Sequence, residues 1–334
     1  MPDRDIQLGL IGDNIAASRS PLLHRLVGQQ NGLNVAYTRL VPPRLQQGFA
    51  TVFDGCRNGG FRGINVTYPY KEKVVPMVTV DDPLVRGIGA VNTVIFTADG
   101  PKGHNTDYSG FVAAYRLVRR DAPAGAVCMI GTGGVGRAVA FGLVALGAPE
   151  IRLVDRDMAK AETLASDLRT AAPDTIITTH DSAALAGAEW AFDAVYTPAD
   201  TQFLQDAAAQ GLAVISGYEL FIYQGVHAWA LFSGNLPLNE PALRAKAFDR
   251  GERKFDLMQQ LGTDLVLVCS TCHPASLGGI DPLYPRRQDI FRATGRCPAD
   301  RNGPALLVAP LSQYAGRRRP ARHRFHARRH RHGV

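Results

Sequence analysis

Lys71 and Asp107 are residues whose types could move or hold a proton. Lys71 ends the run Asn65-Val66-Thr67-Tyr68-Pro69-Tyr70-Lys71. An amine donates as the ammonium and accepts as the free base. Asp107, in Asn105-Thr106-Asp107-Tyr108-Ser109-Gly110, is a carboxylate. Two further polar clusters are Ser18-Arg19-Ser20-Pro21 and Gly89-Ala90-Val91-Asn92-Thr93. Each has a bland reading when taken alone. Ser20 and Asp107 make good helix caps, Asn92 is a turn former, and Lys71 suits a solvated surface. Each cluster also closes a predicted strand or occupies the loop after one, which is where open α/β sheets collect ligands.

A second chemistry is written between 126 and 157. The apolar run Ala126-Val127-Cys128-Met129-Ile130 reads as a buried strand and leads into Gly131-Thr132-Gly133-Gly134-Val135-Gly136. A helical pattern from Arg137 to Leu146 follows. Strand, glycines and helix in that order fit a dinucleotide pyrophosphate. The first glycine allows the tight turn, the second lets backbone approach the phosphates, and the third lets helix close on strand. Gly134 and Val135 place free N–H groups at the helix start. Asp155 ends the next strand, 19 residues after Gly136. A carboxylate there accepts the ribose hydroxyls of NAD and repels the 2′-phosphate of NADP. Arg156 pulls the other way, because a guanidinium can meet that phosphate. Both NAD and NADP stay open, with Asp155 favouring NAD.

The elements that must position these groups alternate. Strands are expected at 6–11, 35–41, 63–67 and 91–96, with a helix opening at Ser20-Pro21. A second set of strands is expected at 126–130, 151–155, 175–179, 192–196 and 212–215. Helices are expected over 137–146, 159–168 and 200–210. A further helical pattern, Tyr223 to Phe232, could return to the first unit. The pattern predicts an α/β protein with mostly parallel sheets. Residues 1–110 form an N-terminal α/β substrate-binding domain, and 111–249 a C-terminal Rossmann domain. Residues 250–334 form an incomplete extra module with an irregular basic tail.

The chain has 334 residues, 46% of them apolar and 20% charged, which is ordinary globular composition. Its formal charge of +7 is misleading, since Arg317 to Val334 holds eight arginines and no acid. Without that tail the body carries −1. A solvated basic run is the expected reading, and no specific nucleic-acid role is expected. No apolar stretch is long enough for a membrane span, and the first residues carry no signal-peptide pattern, so a cytoplasmic protein is expected. Cys269-Ser270-Thr271-Cys272-His273 matches a c-type haem attachment pattern, but without an export signal chance is the better reading. No metal site is expected, because a second ligand pair at finger spacing is lacking.

Together the motifs S-x-S-P, N-V-T-x-P-x-K, G-A-V-N-T, N-T-D-x-x-G and a later glutamine resemble the shikimate dehydrogenase family, from about Leu8 to Phe248. The resemblance implies two domains around a cleft and reversible nicotinamide-linked reduction of 3-dehydroshikimate to shikimate. It implies that Ser18 and Ser20 bind the substrate carboxylate and that Thr67, Asn92 and Asp107 hold ring hydroxyls. Lys71 would be the catalytic acid/base, paired with Asp107. Gln224 and Tyr196 would reach the substrate, and Gly217 would lie near the nicotinamide. Ser20, where quinate-using relatives often have threonine, points to shikimate. Gly136 and Asp155 point to the NAD-using quinate/shikimate branch. A catalytically weak shikimate- or nucleotide-binding protein is the alternative from another class, and a homodimer is left open.

The chain departs from the family twice. The family strand that ends in N-A-T/S-P, followed by G-M, has no counterpart before 191–198, so the Rossmann half is expected to lack one strand. Residues 255–281 faintly resemble the opening of a sugar-phosphate isomerase/epimerase-type barrel, far too short to form one.

Overall fold

The computed structural model describes residues 5–180, 188–196 and 199–247, and the backbone of 267–270. Two sheets carry the chain. The first runs in the order β2-β1-β3-β4-β5. It is built from β1 (Asp5–Ile11), β2 (Asn34–Leu40), β3 (Gly63–Val66), β4 (Thr93–Thr97) and β5 (Gly100–His104). β1 pairs in parallel with β2 and β3, while β4 and β5 run antiparallel. This is less parallel than the sequence suggests. Strand β5, Gly-Pro-Lys-Gly-His, has neither alternation nor β-branched residues, and only its hairpin with β4 makes it a strand.

Around this sheet lie α1 (Ser20–Gln30), α2 (Phe49–Asn58) and α3 (Pro83–Ile88). Asp82 caps α3 by accepting the N–H of Leu84 at 2.8 Å, and Gly89 ends it in the left-handed conformation at φ +66°. That turn places Asn92 at the head of β4. α4 (Thr106–Arg119) then crosses to the second unit.

The second sheet runs β10-β9-β11-β6-β7-β8. It comprises β6 (Ala126–Ile130), β7 (Glu150–Val154), β8 (Ile176–His180), β9 (Trp190–Asp193), β10 (Ala213–Ser216) and β11 (Leu267–Ser270). α5 (Gly134–Ala145), α6 (Met158–Ala171) and α7 (Gln202–Ala209) complete the strand–helix alternation. α8 (Gly217–Ser233) returns to the first sheet, followed by α9 (Glu240–Ala247). Trp229 and Phe232 of α8 are fully buried with Leu8, Leu23 and Val27 of the first unit. Burying each such ring contributes about 2–3 kcal/mol, which holds the last helix across the domain boundary. α4 and α8 pack so closely that a Cβ on Gly110 would stand 2.7 Å from the backbone of Gln224.

The place of the expected missing strand is not empty. β11 lies between β6 and β9 and runs antiparallel to both, with Val268 opposite Met129 on one side and Phe192 on the other. The C-terminal segment therefore contributes a strand to the dinucleotide sheet, which corrects its reading as only an incomplete module. The rest of the C-terminal stretch, including Cys272-His273 and the arginine run, lies outside the described residues. No described helix is long and apolar enough to cross a membrane.

A proline at a central strand position removes a ladder hydrogen bond. Val268→Pro is thus expected to release β11 and to lower hydrogen-exchange protection at Val127–Ile130 and Ala191–Asp193 by at least about tenfold. Unchanged protection there would show that β6 and β9 do not depend on β11.

Candidate active site

One cleft gathers most of the residues singled out from sequence. Ser18, Ser20, Thr67, Lys71, Asn92 and Asp107 line it from the first unit. Val135, Tyr196, Gly217 and Gln224 line it from the second unit and the returning helix. The larger pocket, bounded by Arg57, Arg62 and Phe96, sits elsewhere on the first unit and holds none of these groups.

Lys71 Nζ donates to Asp107 Oδ2 at 2.8 Å, with side chains 15% and 12% exposed. The pair exists because Asp107 is not the cap of α4. Asn105 is: its side chain accepts the N–H of Tyr108 at 3.1 Å and donates to the carbonyl of Ala90 at 2.9 Å. The Asp107 carboxylate is left for the lysine. The loop bearing Lys71 is tied down on both sides. Tyr70 Oη donates to Asp13 Oδ1 at 2.6 Å, its ring stacks on Phe49, and the Lys71 carbonyl accepts the N–H of Val91 at 2.8 Å. Burial, and then the Asp13 carboxylate, push the Tyr70 phenol up to about 12.

The two serines flank the start of α1, whose cap position is Arg19, with no side-chain cap. The bland reading of Ser20 as a cap therefore fails, since Ser20 is already helical. Ser18 Oγ accepts the Ser20 N–H at 3.3 Å, and Arg39 holds the Ser18 carbonyl at 2.7 Å. Asn92 is no mere turn former, because its Oδ1 accepts the N–H of Thr106 at 2.7 Å. Tyr196 is buried and stacked on Phe221 at 4.8 Å, and burial raises its phenol. Gln224 donates to the Phe221 carbonyl of its own helix at 3.0 Å. Gly217 is small for a packing reason, because a Cβ there would strike the Ala194 backbone.

The glycine turn fits its expected role. Gly131 takes φ +95°, which L side chains rarely adopt, and its N–H bonds the Val154 carbonyl at 2.9 Å. Gly133 occupies the N-cap position of α5, and Gly134 and Gly136 lie in its first turn. A Cβ on Gly134 would come 3.9 Å from Lys71 Cδ, so the lysine and the glycine turn share one crevice. Helix N-termini with free N–H groups favour phosphates. Asp155 is more engaged than the sequence implies. Its Oδ2 accepts the N–H and hydroxyl of Thr132 at 2.8 and 2.7 Å, and its Oδ1 accepts the Asp157 N–H at 2.9 Å. Burial acts to raise this carboxyl, but those hydrogen bonds outweigh it and hold it below the usual range. Arg156 is exposed beside it. Among the described residues no cluster of three His, Cys, Asp or Glu could hold a metal.

Sequence reasoning missed three contributors. Thr132 fastens the glycine turn to Asp155, and Asn14 and Asn65 line the cleft. Asn65 belongs to a motif already quoted, but nothing in its spacing distinguishes a buried partner from a substrate contact.

Fold and site together define a two-domain oxidoreductase with a Rossmann nucleotide-binding half and a separate substrate-binding half. Residues 10–94 match the family model described as "Shikimate dehydrogenase substrate binding domain", and 126–218 match "NADP oxidoreductase coenzyme F420-dependent". A quinate/shikimate dehydrogenase (NAD(+)) of Corynebacterium efficiens is 34% identical over 267 residues, covering 70% of this chain and 94% of that protein. A shikimate dehydrogenase (NADP(+)) of Haloarcula marismortui is 36% identical over 251 residues, covering 68% and 92%. The solved quinate dehydrogenase from Corynebacterium glutamicum in complex with NAD superposes with a TM-score of 0.68 at 30% identity, covering 72% and 98%. The chain belongs to the shikimate dehydrogenase family.

The Asn105 cap also carries a buried bond to Ala90. Asn105→Ala is therefore expected to lower unfolding free energy by about 1–2 kcal/mol in urea titration. A change below about 0.5 kcal/mol would mean that another group caps α4.

Proposed function

We propose that this chain is a shikimate dehydrogenase, catalysing the reversible NAD(P)-linked reduction of 3-dehydroshikimate to shikimate. The observation that carries the reading is the Lys71–Asp107 pair at 2.8 Å, part-buried and facing the Gly134 turn. A general acid and a hydride source must meet at one carbon, and here the amine and the dinucleotide turn share one crevice. Ser18 and Ser20 take the substrate carboxylate. Thr67, Asn92 and Asp107 take ring hydroxyls, and Gln224 and Tyr196 close the cleft from the returning side. Gly131, Gly133, Gly134, Val135 and Gly136 hold the pyrophosphate, with Asp155 toward the adenosine ribose. The bound nicotinamide supplies or accepts the hydride. In reduction Lys71 donates its proton to the ketone oxygen, and Asp107 keeps the ammonium aimed there. In oxidation the lysine takes the hydroxyl proton back.

A second reading, an NAD-dependent quinate/shikimate dehydrogenase, is favoured by Asp155 and by the similarity to the NAD(+)-named corynebacterial relatives. Reduced-nicotinamide absorbance, with shikimate or quinate against NAD or NADP, separates the readings. A chain that binds shikimate but turns over none of these pairs would be a binding protein instead.

Lys71→Ala is expected to lower kcat by about 10²–10⁴ while shikimate affinity changes less than about tenfold. Equal losses in both would reduce Lys71 to a binding residue. Asp155→Ala is expected to move the NAD-to-NADP ratio of kcat/KM toward NADP by at least about tenfold. An unchanged ratio would detach Asp155 from cofactor choice.

A further inference from the structure

Tyr37 and Asn92 stand on different elements, and one buried chain of hydrogen bonds joins them. Tyr37 on β2 reaches over β1 and donates its Oη proton to Asn65 Oδ1 on β3 at 2.8 Å. Asn65 Nδ2 donates to Thr93 Oγ1 at 3.0 Å and to the Asn92 carbonyl at 3.4 Å. Thr93 Oγ1 passes the chain to Asn92 Oδ1 at 3.1 Å. Tyr37, Asn65, Asn92 and Thr93 are all buried.

Backbone groups set the direction of this chain, because a carbonyl only accepts and an N–H only donates. The Asn92 carbonyl requires the amide nitrogen of Asn65, so Asn65 Oδ1 must accept and the Tyr37 proton is committed to it. Likewise the Thr106 N–H occupies Asn92 Oδ1, which leaves the Asn92 amide nitrogen for the cleft. His24 steadies the other face. Its ring stacks on Tyr37 at 5.2 Å and meets Phe232 edge-on at 5.5 Å. Burial, opposed by a weaker contact with Asn65, holds its imidazole neutral down to about 3.

We propose that Tyr37, Asn65 and Thr93 are positioning residues that set the orientation of Asn92, so that the cleft offers its amide N–H to a hydroxylated carboxylate. This rests on the substrate class proposed above. A bond that orients a contact residue acts only through that residue, so its loss is invisible once the contact is gone.

The test is a double-mutant cycle on the full chain, read as the calorimetric Kd for shikimate, with turnover measured in parallel. Tyr37→Phe is expected to weaken binding about fivefold, roughly the factor of one ordinary hydrogen bond. Asn92→Ala is expected to weaken it about tenfold, and the double variant to match Asn92→Ala within about twofold. Multiplying losses, or a Tyr37→Phe change below about twofold, would overturn the proposal. Should Tyr37→Phe fail to fold, Thr93→Val in cycle with Asn92→Ala interrogates the same chain by the same criterion. Absence of turnover with non-multiplying binding losses would reject the catalytic reading and leave this one standing. Absence of shikimate binding by the unaltered chain would reject both.

Discussion

The Lys71–Asp107 ion pair depends on a choice made two residues earlier. α4 needs one acceptor at its N-terminus, and both Asn105 and Asp107 have the chemistry for it. Asn105 takes the Tyr108 N–H, while its own amide is held by the Ala90 carbonyl. A carboxylate has no N–H to give and could not make that second bond. The asparagine is therefore the better cap at this position. Its preference frees the aspartate to turn toward the lysine at the mouth of the glycine turn. Everything chemical in the cleft is arranged around that pair.

Much of this was legible in sequence because the motifs sit at strand ends. The order of Ser20, Thr67, Lys71, Asn92 and Asp107 along the chain follows the order in which loops leave the sheet. One cleft collects them all. What could not be read was division of labour between adjacent polar residues. Asn105 and Asp107 as caps differ only in where the Ala90 carbonyl falls. β5 escaped notice for a related reason: its strand character lies in its partner β4, not in its own residues. α4 was obscured because its capping sequence is also the motif that carries the chemistry.

The dinucleotide sheet makes the opposite case. The sequence motif of one family strand has no counterpart before 191–198, and a gap between two central strands would leave backbone groups of both unpaired. Leu265-Val266-Leu267-Val268 is an apolar run, and the backbone of Leu267–Ser270 lies between β6 and β9, antiparallel to both. Reversal matters at the cleft end of the sheet. There β6 and β9 present their carboxyl ends, where α/β sheets bind ligands, while β11 presents its amino end beside Ile130 and Asp193. The strand restores pairing in the opposite direction to its neighbours.

Asp155 shows how firmly the glycine turn is held. Its carboxylate closes that turn through Thr132. A group held by three donors keeps its charge and its geometry before any nucleotide arrives. Preorganisation of this kind lowers the ordering cost of binding. The first unit uses the same device: Asn92 is oriented by Thr106 and Thr93. Both halves thus present polar groups already aimed at the one cleft that Lys71 and Asp107 line.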